Sequence, residues 1–309
     1  EKGPDKFKRL ILRNSGNDNV NKATTNTHFR DPLIQTIARK SNKKPLVSES
    51  LPVNVFLNGS YHGLFNMRER EDEYYIETHT GITENYTLIE LAFGYYGNRN
   101  PIVGSFSTWT ELLTFVDTTG DLSLDADFSI AEEMVDLDNF TDYWITEVFA
   151  GNYDWLSNNV KFWKPDDGKW QWLYWDTDHG LGLQYSNYGE VNWNTLVWSL
   201  TFGDRAWPDG YHNILIRNLL ENEAYKEDFI KRFTQLLSTS LSFEYTKPVL
   251  DSMKNLYEKD MMIHTGHWGR SMSNWENACN IVENYLLQRP DAVLNHLRDH
   301  FGLQEPVPV

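Results

Sequence analysis

Apolar residues recur along this chain in two periods, and the period tells which element each stretch builds. Lys8 to Arg13 (KRLILR) is a short apolar run that predicts a strand, followed by the turn-rich Asn14-Ser-Gly-Asn-Asp-Asn19. Between residues 29 and 40, Leu33, Ile34, Ile37 and Ala38 fall at helical spacing. Residues 51–57 and 61–67 flank Asn58-Gly59, a pair suited to the positive φ angles of a two-residue hairpin turn. Val53, Val55 and Leu57 alternate, so this hairpin is expected to bury one face. A helix over 71–78, a strand over 86–91, a loop over 94–107 and a helix over 109–116 follow. Residues 129–135 and 137–150 predict two helices around a tight corner. The second, LDNFTDYWITEVFA, is apolar on several faces and should be buried. Strands at 160–164 and 170–175 predict a second hairpin, turning at Pro165-Asp-Asp-Gly168. From residue 211 the pattern is helical: 211–221, 223–239, 243–262 and 275–300, with a break expected at Arg289-Pro290.

Strands thus precede about residue 205 and helices follow it. The economical reading is one α+β domain in three parts: 1–125 with hairpins, 126–205 around the second hairpin, and a largely helical 206–309. Charge changes the picture next. Twenty-eight Lys and Arg against 44 Asp and Glu leave −16, a surface that repels nucleic-acid backbones. No run approaches eighteen apolar residues, so no transmembrane segment is expected. The only cysteine, Cys279, excludes an internal disulfide and a cysteine metal cluster. Twelve Trp imply either a large aromatic core or a surface that stacks planar groups. Alternation places Trp170, Trp172 and Tyr174 on one strand face and Gln171, Leu173 and Trp175 on the other, which favours core packing. The sequons at Asn58, Asn85 and Asn139 fit chance in an Asn-rich chain.

Candidate chemistry lies at the two ends of the second hairpin: Asn152-Tyr-Asp154-Trp-Leu-Ser-Asn-Asn159 before it, Asp176-Thr-Asp178-His179 after it. The ends of paired strands lie ~5 Å apart, so Asp154, Asn159, Asp176 and Asp178 should converge. Oxygen ligands of this kind suit Mg²⁺ or Mn²⁺, with phosphate completing the coordination. Asp154 and Asn159 share the five-residue offset of the protein-kinase catalytic loop, and Asp176 or Asp178 stands where a second metal ligand is expected. Asp and Asn also cap turns as a matter of course. What favours chemistry here is that the pair follows WQWLYW, a run too apolar to be exposed, where carboxylates need a cation. His264 and His267, with Trp268 and Arg270, are expected to pack between lobes; His179 is expected beside the Asp pair or in its turn.

These stretches, taken together, resemble the CotH kinase family of atypical, spore-coat-type kinases. The likeness runs over about residues 7–300 and includes Leu10-Ile-Leu-Arg13-Asn, Arg30-Asp31, Val55-Phe-Leu-Asn58-Gly59-Ser-Tyr-His-Gly63 through Arg68-Glu69, Asp154 to Asn159, Trp175-Asp176-Thr-Asp178 and Gln288-Arg289-Pro290. The resemblance implies an atypical protein-kinase-like fold, with residues 1–125 as the N-lobe-like part. It implies Asp154 as catalytic Asp, Asn159, Asp176 and the additional Asp178 as metal ligands, and ATP with Mg²⁺ or Mn²⁺ as cofactors. The Asn-Gly hairpin followed by Glu69 looks like the family's N-lobe signature. The chain departs from the pattern in showing neither a Gly-rich phosphate loop nor the family's Lys-Lys-Ser strand. Arg13, Arg30, Arg68 and Arg70 are then the candidate cations for phosphate, each with an ordinary alternative as a salt-bridged Arg.

The expected activity is phosphoryl transfer to Ser or Thr of a surface or coat protein, in an extracellular, cell-surface or periplasmic setting. Two other classes compete. A bare Asp-x-Asp also serves metal-dependent glycosyltransferases, which have no need of Asn159; an inactive kinase-like scaffold would use its tryptophans to bind glycans or partners.

Overall fold

The computed structural model describes residues 6–91, 99–156, 158–183, 189–201 and 213–304. The strand read at residues 8–13 forms as β1 (Leu10–Arg13). It is followed by a 3₁₀ turn at Gly16–Asp18 and by α1 (Arg30–Ser41). The Asn58-Gly59 hairpin is present as β2 (Ser50–Leu57) and β3 (Ser60–Glu69), antiparallel with a bulge at Val55/Phe56. β1 pairs with the other edge of β3, giving the order β1-β3-β2. One face of this sheet turns Leu64, Asn66 and Arg68 inward; the other leaves Leu10, Leu12 and Leu51 exposed.

A second antiparallel sheet, ordered β5-β4-β6-β7, is built from β4 (Tyr86–Leu91), β5 (Arg99–Val103), β6 (Val160–Pro165) and β7 (Gln171–Leu173). β5 corrects the loop expected over 94–107. Pro101 hides it from propensity reasoning, yet at a sheet edge a residue without N–H is tolerated. Part of that stretch, with the boundary near residue 205 and the start of the helix predicted at 211–221, lies outside the described residues.

Along the chain α2 (Glu73–Thr80) links the first sheet to the second, and α3 (Ser107–Thr114) with a π turn at Phe115–Thr119, then α4 (Asp125–Met134), lie between β5 and β6. α5 (Leu137–Ala150) is buried from Asn139 to its end, as its all-round apolar pattern predicts. It packs on the sheet face that carries Phe162, Trp172 and Tyr174, while Trp163, Leu88 and Leu173 on the opposite face meet Tyr75 and Ile76 of α2. Trp163, Trp170 and Trp172 are all below 5% exposed, so these rings are core, whereas Trp175 is half-buried and Trp268 exposed. Asn139, one of the sequons, is spent inside: it bonds Lys44 O, Trp172 O and Trp172 N–H.

The helical part comprises α6 (Thr195–Thr201), α7 (Ile214–Leu219), α8 (Glu223–Ser238), α9 (Phe243–His267) and α10 (Met272–Phe301). α10 corrects the expected break at Arg289-Pro290, for the helix runs straight through Pro290. Burial of Leu286, Val293 and Leu297 on one stripe outweighs the single helix bond that proline forfeits. The gap expected between 262 and 275 is present but narrows to 268–271, so His264 belongs to α9. His264 ties α9 to the first sheet: its Nδ1 accepts the Leu64 N–H of β3 at 2.9 Å.

Candidate active site

The site hangs from the C-terminus of α5. That helix stops at Gly151, whose φ of +65° suits a C-terminal cap. A side chain there would collide with Tyr285 Oη at 2.3 Å. Buried Arg289 of α10 anchors the helix end, donating to Val148 O at 2.8 Å and Phe149 O at 3.0 Å. From this fixed point Asn152-Tyr153-Asp154 leads out. The Asp154 N–H donates to Asn152 Oδ1 at 3.1 Å. Asn158 and Asn159 close the loop by donating their amides to the Asp154 carboxylate, at 3.0 Å to Oδ1 and 3.0 Å to Oδ2 respectively.

The hairpin then delivers the second half. Lys161 pairs with Leu173 across it, so Asn159 and Asp176 sit just beyond its open end. Both adopt positive φ, +54° and +51°, a region that Asn and Asp enter more readily than other side chains. Asp176 accepts from Arg13 Nη2, whose other carboxylate neighbour, Asp178 Oδ2, lies 3.6 Å away. The 3₁₀ turn folds over Asp178, and Asn17 N–H donates to its Oδ2 at 2.6 Å. Gly16 is required there, because a Cβ would meet Asp178 Oδ2 at 2.2 Å. His179 bridges the halves: its Nε2 lies 3.9 Å from Asp154 Oδ2 and 3.8 Å from Asp178 Oδ1. Asp154 and Asp178 are therefore within ~8 Å of one another.

Electrostatics mark the same spot. Burial, then the neighbouring Asp176 charge, pushes the Asp178 carboxyl up to about 7 against the opposing pull of Arg13. Its Oδ1 is buried without a hydrogen-bond partner. Burial lowers His179, with Asp154 pulling the other way. A buried carboxylate oxygen without a hydrogen-bond partner is a place where a hard cation would fit, and Asp176 lies on the same Arg13. Among the described residues, no three His, Cys, Asp or Glu side chains are grouped as a metal site by themselves.

The candidate cations part company. Arg13 reaches the carboxylates and lies near the Trp175 ring. Arg30 is fully buried against Asp18 and Leu181 O. Arg68 is buried against Asp31, with Glu71 at 3.8 Å. Arg70 is 56% exposed beside Asp72. Glu69 accepts from Glu49 N–H and bonds His79, holding α2 to the first sheet.

Two polar residues beside the site escaped sequence reading. Lys161 is buried on β6, donates to Glu71 O at 3.1 Å and sits 3.4 Å over the Trp175 ring. Glu147 is buried within α5 and accepts from Asn152 Nδ2 at 2.9 Å. A Lys between the apolar Val160 and Phe162 and a Glu among the apolar residues that end α5 were the available signals, since charges are rarely placed there without a task.

No curated protein matches the chain. The description of one protein family, CotH kinase protein, matches residues 2–293 of the 309. With nearly the whole length matched, and the hairpin-end carboxylates inside the match, the chain belongs to the CotH kinase protein family.

Proposed function

We propose that this chain is an ATP-dependent phosphotransferase acting on Ser or Thr hydroxyls of a coat or surface protein outside the cytoplasm. The observation that carries the reading is the gathering of Asp154, with its Asn159 partner, and the Asp176/Asp178 pair at the open end of one hairpin. Asp154 orients the acceptor hydroxyl and takes its proton. The hydroxyl oxygen forms a bond to the γ-phosphorus as the bond to the β–γ bridging oxygen breaks, and ADP leaves with that electron pair. Asn159, Asp176 and Asp178 are the residues that would hold Mg²⁺ or Mn²⁺. Bound there, the ion would neutralise charge on the transferring phosphate. Arg13 contributes fixed positive charge beside the pair, and the Asn158 and Asn159 amides keep the Asp154 carboxylate aimed. The Asn159–Asp154 bond favours a kinase over a glycosyltransferase, whose Asp-x-Asp works without it. No helix among the described residues is long and apolar enough to cross a membrane.

The test combines ligand-dependent melting with transfer. Mg-ATP should raise the melting temperature and a UDP- or GDP-sugar should not; the reverse result would make the chain a glycosyltransferase, and no shift with either would make it a scaffold. Asp154→Asn should slow phosphate incorporation ~10²–10⁴-fold with nucleotide affinity nearly kept. Asp176→Asn should lose both. Full activity of Asp154→Asn would sink the assignment.

A further inference from the structure

Glu147 lies in the last turn of α5, 1% exposed. Its Oε2 accepts the Asn152 amide at 2.9 Å, and Asn152 N–H reaches back to Glu147 O at 3.3 Å. Asn152 is itself 1% exposed, and its Oδ1 takes the Asp154 N–H. Glu147 thus stands two hydrogen bonds from the backbone of the residue that meets the acceptor. The helix end that carries it is immobilised by Arg289 and Tyr285, which both donate to Phe149 O.

Its surroundings give it no reason to be there as a charge. Among the described residues no Lys or Arg pairs with it, and its Oε1 is buried without a hydrogen-bond partner. The titratable groups that a charge on Glu147 would reach are the buried Tyr143, one turn earlier on α5, and Tyr174 beyond β7, and it would push both hydroxyls further up. An ionised carboxylate in such a place is expensive, whereas a neutral acid with one accepted bond is not. A hydrophobic residue would fill the volume equally well but could not hold Asn152.

We infer that Glu147 is a positioning residue: by holding the Asn152 amide it fixes the backbone from which Asp154 projects. Burial pushes its carboxyl up to about 8, so at neutral pH it works largely as the neutral acid. In that form Oε2 is the carbonyl oxygen facing Asn152. Glutamine reproduces this arrangement, with its carbonyl toward Asn152; leucine, of similar bulk, does not.

The inference rests on the phosphotransferase reading for its kinetic arm but carries a second arm that does not. Glu147→Gln, Glu147→Leu, Asn152→Ala and the Leu/Ala double variant would be compared as folded protein, with kcat and the ATP KM measured on each. Glu147→Gln should stay within about threefold of the parent. Glu147→Leu and Asn152→Ala should each lower kcat by roughly 10–100-fold at unchanged KM, as expected when a reacting group is misplaced by ~1 Å. The double variant should be no worse than either single one, because one linkage is broken in all three. Independently, exchange of the Asp154 amide hydrogen, followed by NMR, should accelerate at least tenfold in Glu147→Leu and not in Glu147→Gln.

Losses that multiply in the double variant, losses confined to KM, or an unchanged Asp154 exchange rate in Glu147→Leu would each overturn the inference. Should Glu147→Leu fail to fold, Asn152→Ala decides alone: parental kcat and parental exchange at Asp154 would refute the linkage. A parent without transfer activity would refute the phosphotransferase reading, while the exchange measurement would still judge the linkage.

Discussion

Arg289 offers the sharpest test of how this fold is held together, because its guanidinium uses all five N–H donors inside the protein. It is fully buried and donates to Phe149 O, Val148 O, Thr195 Oγ1, Val191 O at 2.6 Å and Trp193 O at 2.9 Å. No carboxylate accompanies it among the described residues. Its charge is balanced by carbonyls, two of them at the negative end of the α5 dipole. Arg289→Met keeps most of the volume and removes every donor.

Three of the four carbonyls retain a second partner: Gly151 N–H for Val148, Tyr285 Oη for Phe149, Thr195 N–H for Trp193. Only Val191 O is left without another partner among the described residues, at a cost of about 1–3 kcal/mol, and the lost charge-assisted bonds add ~1.5–3 kcal/mol each before relief of guanidinium desolvation is subtracted. A net loss of about 3–5 kcal/mol is expected, which is a drop of roughly 5–8 °C in melting temperature for a chain this large. Arg289→Lys, with three donors on a flexible stem, should recover only part. Urea unfolding and calorimetry would measure both. A methionine variant that melts within ~2 °C of the parent would show that the five bonds contribute nothing net.

The remaining expectations concern charge and the site. His28 and His264 are buried 5.1 Å apart between ring centroids, and burial lowers them to about 4 and about 3. The unfolded chain therefore binds more protons below about pH 6.5, and stability should fall as pH drops from there toward 4, by about 3 kcal/mol through His28. Urea melts from pH 7.5 to 4.5 should show this slope, and His28→Gln should flatten it; an unchanged slope would refute the assignment. Calorimetry should find Mn²⁺ binding weak without ATP and tight with it, since few protein oxygens offer ligands; tight binding to the bare protein would indicate a closed structural site. Gly16→Ala should weaken Mg-ATP binding by roughly tenfold, or ~1.4 kcal/mol, because its Cβ would displace Asp178 and Arg13, whereas parental affinity would mean that the 3₁₀ turn has no part in the site.

What the residues determined by themselves was local. The Asn58-Gly59 hairpin, the burial of α5, and the convergence of Asp154, Asn159, Asp176 and Asp178 all follow from short-range rules: a turn dipeptide, an apolar period, two strands that must meet at one end. Each operates within some twenty-five residues, so a sequence window contains both partners.

What only the tertiary structure decided involved partners far apart in the chain, or burial that overrides propensity. Arg13 meets Asp176 across 163 residues, and Asn17 meets Asp178 across 161, so nothing in their neighbourhoods singles out Arg13 from Arg30, Arg68 and Arg70. Arg289, visible only as part of Gln288-Arg289-Pro290, reaches carbonyls some 140 residues earlier. Pro101 and Pro290 read as interruptions because propensity reports the isolated chain. In the folded one, a sheet edge excuses the first and a buried stripe of α10 overrides the second. Glu147 and Lys161 lie at the same limit, for their meaning depends on which polar groups the fold presses against them, and that is a property of the assembled core alone.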